Sequence, residues 1–286
     1  TFELMRDTKL ALTDMDAMLT SREEQFMSNW AEKIPVLGRL VRASGRAYTG
    51  FLNKLRADVF DDLVRKAENS GLKPQINRDL TKEISHFINA ATGRGSLGGL
   101  ERSAKVLNSL FFSPRLMASR LTLLNPVYYM RATPFVRKEA LKSLFTFAST
   151  GLTILGLAKL GGADVVTDAR SADFSKIKIG NTRLDIWGGF QQYIKTAAQL
   201  ISGQIVSSTT GKTFTLGEGY KPITRLDILG RALEYKEAPV VSFITNLLRG
   251  QTALGEDINL RTEVQQRFTP MVMQDIYEIA QNNPDI

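Results

Sequence analysis

Cysteine is absent from this 286-residue chain, and histidine occurs only once, as His86. The first absence removes disulfides, thiolate nucleophiles and sulfur-ligated metals together. The second removes any triad or zinc site that needs several imidazoles, because the partners are not there. His86 lies inside a helical pattern and reads as an ordinary surface or packed helix residue rather than a ligand or base. A secretory signal is also missing, and the chain opens on Thr1 rather than Met. We read it as a processed product or an ordered piece of a longer polypeptide. No G-x-S-x-G elbow, H-E-x-x-H zinc motif or acidic calcium loop occurs.

What remains is ordinary for a folded protein: 43% apolar and 23% charged residues, enough chain for one large domain or two smaller ones. The net charge of +8 is unevenly spread. Residues 1–50 carry seven basic and seven acidic side chains, residues 101–150 eight basic against two acidic, and residues 251–286 two basic against six acidic. A basic middle favours an anionic partner there, nucleic acid or lipid headgroups, with a solvated face on a basic protein as the plainer alternative. The candidates are Arg102, Lys105, Arg115, Arg120, Arg131, Arg137, Lys138 and Lys142.

The fold class expected is mainly α: a multi-helix domain with one or two small β-hairpins. One helix is expected from about Phe2 to Lys33. A second covers residues 45–71, with Tyr48, Leu52, Leu55, Val59, Leu63 and Ala67 as its apolar stripe and Gly71 closing it. A third starts at the N-cap Asn77 and buries Leu80, Ile84, Phe87, Ile88 and Ala91. Ser113-Pro114 and Asn125-Pro126 end two further helices, and Pro134 opens another. That last helix enters SLFTFASTGLTILGLA, residues 143–158, sixteen residues without a charge between Lys142 and Lys159. Such a stretch reaches ~24 Å, short of the ~30 Å hydrocarbon core. With three threonines and two serines it favours a buried core helix over membrane contact. If it meets a membrane, Phe145, Phe147, Leu152, Ile154 and Leu155 are the contact candidates.

Past residue 163 the period changes. Ile177 and Ile179, then Leu184 and Ile186, alternate on either side of Gly180-Asn181, as a hairpin requires. Trp187-Gly188-Gly189 hands over to a helix in FQQYIKTAAQLISG, and VSSTTGKTFTLGEG reads as a second hairpin. Three more helical segments follow: RLDILGRALEYK, APVVSFITNLLRG and TPMVMQDIYEIAQ. The chain divides into a helical N-terminal part (1–100), basic helices leading into the apolar helix (101–163), a hairpin-containing part (164–220) and C-terminal helices (221–286).

Two glycine motifs imitate nucleotide loops. Gly93, Gly95 and Gly98 have the G-x-G-x-x-G spacing, but a helix rather than a strand leads into them, so they read as a left-handed C-cap and a helix–helix linker. Gly211-Lys212-Thr213 lacks the glycine five positions earlier that a P-loop needs, where Val206 stands. Adjacent carboxylates at Glu23-Glu24 and Asp61-Asp62 sit in charged helical text and read as solvated faces. No catalytic, cofactor-binding or metal-binding residue is therefore assigned.

Several stretches together resemble one family. They are SGRAYTGFLNKLRADVFDDL, NAATGRGSLGGLE, LFFSPRLMASRLTLLNP, DARSADFSKIKIGNTRLDIWGGFQQYIKTAAQLISGQ and TPMVMQDIYE, spread over residues 44–278. The pattern is similar to the large polyvalent protein-associated domains of tailed bacteriophages and prophages. Its most specific part is the hairpin-to-helix block with Asp173, Phe174, Gly180, Asn181, Trp187, Gly188 and Gly189. The resemblance implies a structural segment of an internal virion or ejection protein, packaged with the genome and helping DNA across the host envelope. It implies no catalytic residues and no cofactor. Expected partners are further copies of the chain, other virion proteins, double-stranded DNA without sequence preference, and the host membrane. Two rival readings stand: a non-catalytic scaffold domain of a larger phage enzyme, and a soluble nucleic-acid-binding protein.

Overall fold

A computed structural model describes residues 2–13, 37–180, 182–219, 222–237 and 239–250, and these form a mainly helical protein with two small antiparallel sheets. The helical segment TPMVMQDIYEIAQ and the acidic pair Glu23-Glu24 lie outside the described residues. The chain divides near residue 145 into two compact units.

Unit one begins with α1 (Phe2–Asp7); of the helix expected from Phe2 to Lys33, residues 8–13 are not helical and residues 14–33 lie outside the described residues. The chain turns at Lys9, whose φ of +58° is left-handed, and continues without helix to residue 13. Helix α2 (Leu37–Asn69) ends as its sequence requires. Gly71 takes φ +80°, its N–H reaches Glu68 O, and Leu72 N–H reaches Ala67 O, a Schellman close that satisfies the last carbonyls.

The apolar stripe of α2 is displaced from the one read off the sequence. Tyr48 and Leu55 are exposed, and Thr49, Arg56, Phe60, Leu63, Val64 and Ala67 are buried. Arg56 explains the rotation. It is only 2% exposed, and its guanidinium donates to Thr92 Oγ1, Ala11 O and Thr92 O at 2.9, 2.7 and 3.3 Å. These acceptors make burial of a cation tolerable.

Helix α3 (Arg78–Ala91) is capped by the Asn77 side chain, which accepts from Leu80 N at 3.1 Å. Leu80, Ile84, Phe87 and Ile88 are buried as expected, with Ala90 in the core where Ala91 was expected. It packs on α2 and on α5 (Pro114–Leu124). Between them stand a 3-10 turn (Gly98–Ser103) and α4 (Ala104–Leu110). Helix α6 (Pro126–Arg131) and α7 (Pro134–Leu160) both start on proline, whose missing N–H costs nothing at a first helical turn.

In unit two, β1 (Asp164–Val165), β2 (Ile177–Ile179) and β3 (Thr182–Leu184) form a sheet in that order. The hairpin is paired Ile179 to Thr182 around the Gly180 turn, and β1 is an addition that sequence pattern did not reveal. Helix α8 (Phe190–Ser202) starts after Gly189 at φ +86° and runs into the second hairpin, β4 (Gln204–Val206) with β5 (Thr213–Thr215). Helix α9 (Arg225–Glu234) opens with a capping box between Thr224 and Asp227, and packs on α8. Helix α10 (Pro239–Arg249) is the last described element.

Candidate functional site

The G-x-G-x-x-G loop is built for packing. Gly93, at φ +89°, completes a Schellman close of α3, with Arg94 N–H on Asn89 O at 2.7 Å. Gly95 lies so close to α5 that an added Cβ would sit 2.2 Å from Ser119 N. Gly98, at φ +56°, turns the chain into the 3-10 segment. The second motif is the turn of the β4–β5 hairpin, with Gly211 at φ +68°. Among the described residues, no three acidic or histidine side chains gather as a metal would require.

The basic run of residues 101–142 is contiguous in sequence but scattered in the fold. Arg102 is exposed on the 3-10 turn, and Arg120 is half-buried on α5. The side chain of Lys105 lies outside the described residues. Arg115 grips Glu101 with two bonds, at 3.1 and 2.7 Å, and this holds the Glu101 carboxyl below its usual pKa. Arg137 is turned inward as a helix cap: Nε donates to Tyr129 O at 2.7 Å, and Nη2 to Met130 O and Ala132 O at 2.9 and 3.0 Å. These two arginines therefore serve the fold through the bonds they make. Lys138 and Lys142 project from the exposed side of α7.

Helix α7 is arranged inside out. Its inner stripe runs through Val136, Ala140, Leu144, Ala148, Gly151, Leu155 and Ala158, at steps of three and four, and most of these residues are small. Its larger apolar side chains face outward: Leu141, Phe145, Leu152, Ile154, Leu157 and Leu160 are all exposed, Phe145 by 74% and Leu152 by 62%. The buried core helix favoured by its hydroxyl content is thus not what forms. Only 17% of its most apolar window is buried, and by length and composition alone the whole helix could cross a membrane, although its uncharged stretch is shorter. Ser149 and Thr153 bond back to Thr146 O and Ser149 O, which satisfies hydroxyls that water does not have to reach.

Among the five membrane-contact candidates, Leu155 is buried, so it belongs to the inner stripe and cannot be a contact. Phe147 is partly exposed and packs edge-on against Trp187, with ring centroids 5.7 Å apart, and against Phe190 at 5.5 Å. Gly151 is required beneath the same indole, since a Cβ there would lie 2.5 Å from the ring.

Unit one also holds an open cleft of about 1240 Å³, which sequence pattern did not reveal. Among the described residues, Lys9, Lys82, Arg94, Arg115 and Arg131 line it against two carboxylates, Glu83 and Glu101. Glu83 accepts from both N–H and Oγ1 of Thr133 at 3.1 and 2.6 Å, just ahead of α7, where a helix start favours negative charge. His86 and Tyr128 face each other across its wall at 6.1 Å, tilted by 40°. Loss of hydration lowers the His86 pKa, with Glu83 pulling the other way, and burial raises that of Tyr128. Both rings are therefore neutral near pH 7.

The hairpin-to-helix block of unit two is an internal polar clamp. Buried Asp173 receives Arg183 Nε at 2.6 Å and stands 3.5 Å from Lys176 Nζ. Gln191 and Gln199 donate to Ala172 O and Arg170 O, tying this loop to α8. Arg170 binds Asp168 and Gln204, and the Asp168 carboxyl is held down to a pKa of about 2. Trp187 Nε1 donates to Ser175 O at 3.0 Å. These residues hold loop, hairpin and helix together, which accounts for their presence without any chemistry.

Comparison with protein-family models, with curated proteins and with solved structures finds no match.

Proposed function

We propose that this chain is a non-catalytic structural segment of a phage internal virion or ejection protein, packaged with the genome, and that α7 is the part that meets the host membrane during DNA delivery. The observation that carries the membrane role is the reversed helix: small residues inward, Leu141, Phe145, Leu152, Leu157 and Leu160 outward. Single exposed apolar side chains are common on any protein, but Leu141, Phe145 and Leu152 share one side of the helix, and such a cluster marks an interaction surface. Exposed lysines flank it: Lys138 and Lys142 on either side of Leu141, and Lys159 beyond Leu152. Their stems lie along apolar surface while the ammonium groups reach headgroups, at about 1 kcal/mol for each well-placed cation on an anionic leaflet. The uncharged stretch of ~24 Å favours shallow insertion, or an assembly of copies that shares the burden, over a stable span by one helix. The phage assignment rests on the resemblance of residues 44–278.

Flotation with vesicles of phosphatidylserine and phosphatidylcholine tests the membrane role. Folded wild type should float at low salt and less at high salt, and Phe145→Asp or Leu152→Asp should abolish flotation while leaving helicity intact. Folded wild type that stays unbound at low salt overturns it. Mass spectrometry of purified virions tests the assignment, since peptides of this chain must appear in the particle.

A further inference from the structure

The cleft of unit one plays no part in the membrane reading, and three of its features converge on one ligand chemistry. The first is charge. Among the described lining residues, cationic side chains outnumber carboxylates, and the two carboxylates are already engaged, Glu101 by Arg115 and Glu83 by Thr133. The field left in the cleft is that of Lys9, Arg131 and Lys82, the last with the exposed Asp79 carboxylate 3.7 Å away, reinforced by Arg94. The second is the pair of neutral rings, His86 and Tyr128, on the same wall. The third is backbone strain. Lys9 is held left-handed although it is not glycine, and Asn89 fixes it there by donating to Lys9 O at 2.9 Å and accepting from Ala11 N at 2.8 Å. Strain of this kind persists where surrounding bonds over-determine it, and it concentrates at binding sites. The volume of about 1240 Å³ exceeds the roughly 300–1,000 Å³ typical of small-molecule sites, which points to an extended ligand.

We propose that this cleft binds a single strand of nucleic acid, with backbone phosphates on Lys9, Lys82 and Arg131 and a base against Tyr128 and His86. Cationic walls with aromatic faces are how sequence-tolerant single-strand sites work, because every base has a π-face and every linkage a phosphate. A duplex keeps its bases stacked inside and gains nothing from the rings.

The test is fluorescence anisotropy of the full chain with a labelled oligothymidylate of about 12 nucleotides. Saturable binding is expected, falling with salt, and a duplex of equal length should compete at least about tenfold less well. Lys82→Glu with Arg131→Glu, both exposed positions, should weaken binding at least about tenfold and flatten its salt dependence. Tyr128→Leu should weaken it about fivefold or more, and His86→Ala gives the same reading if Tyr128→Leu disturbs the fold. Lys54→Glu with Arg65→Glu, outside the cleft, should leave it within about twofold. No saturable binding, an equal loss in that outside pair, or duplex competing as well as single strand overturns the proposal. The vesicle and virion experiments are unaffected by any of these outcomes, so the two readings fail separately.

Discussion

Arg56 and His86 show how much single side chains decide here. Arg56 holds residues 11 and 92 to the middle of α2 through three acceptors, and Lys in its place has no planar fork to reach them. Arg56→Ala strands buried carbonyls, each costing about 1–3 kcal/mol, so a total loss near 3 kcal/mol is expected in urea unfolding, with Arg56→Lys recovering little of it. His86, as the single histidine, titrates alone in proton NMR. Its midpoint should fall below 6.5, the ordinary value from which lost hydration lowers it. A midpoint at or above 6.5 would mean that the wall around the ring is wetter than the fold implies.

Helix α7 and the glycine loop carry the argument at the scale of elements. Leu152 and Leu155 are three residues apart on one helix, yet one is 62% exposed and the other 7%. Leu155→Asp should therefore lower stability by roughly 3 kcal/mol or more by placing a carboxylate in the inner stripe, whereas Leu152→Asp should be within about 0.5 kcal/mol of wild type. Thermal melts followed by circular dichroism check the contrast, and equal losses would refute the inside-out arrangement. In the loop, Gly95→Ala forces the chain off Ser119 and should cost about 1–3 kcal/mol. Gly71→Ala, with open space but φ +80°, should cost about 1 kcal/mol through conformation alone. Urea unfolding of the two variants checks both losses, Gly95 reporting crowding and Gly71 backbone strain.

For the whole molecule, the titrating groups set the response to acid. His86 has its folded pKa below 6.5, so the unfolded chain binds the extra proton first, and stability declines as pH drops through the interval beneath 6.5. Asp168, lowered from 3.8 to about 2, and Glu101, lowered from 4.5, contribute stability that is complete above those ordinary values and lost as pH falls toward their folded ones. Two separate steps of acid destabilisation are expected, and His86→Gln should remove the upper one. Urea midpoints measured from pH 7 to pH 3 would show a single low step if the imidazole sits in open water.

Local pattern alone determined most of the helices, their ends and both hairpins. Asn77, Gly71, Gly93, Pro114, Pro126, Pro134 and the Gly180 turn act through backbone geometry within a few residues, so their meaning survives without a fold. The same text located the α3 core face and the hairpin-to-helix block. It misplaced the face of α2, because Leu55 and Arg56 are neighbours and acceptors on residues 11 and 92, distant in sequence, draw the cation into the interior. It made one patch of the basic run, because charge is counted along the chain while Arg115 and Arg137 turn toward partners set by packing. It could not show the cleft, whose walls join Lys9, Lys82 and Arg131 from distant positions. Nor could it show which side of α7 is covered: apolar residues occur all round that helix, and within unit two the indole of Trp187 over Gly151 marks the buried side, with Leu155 on it and Leu152 off it.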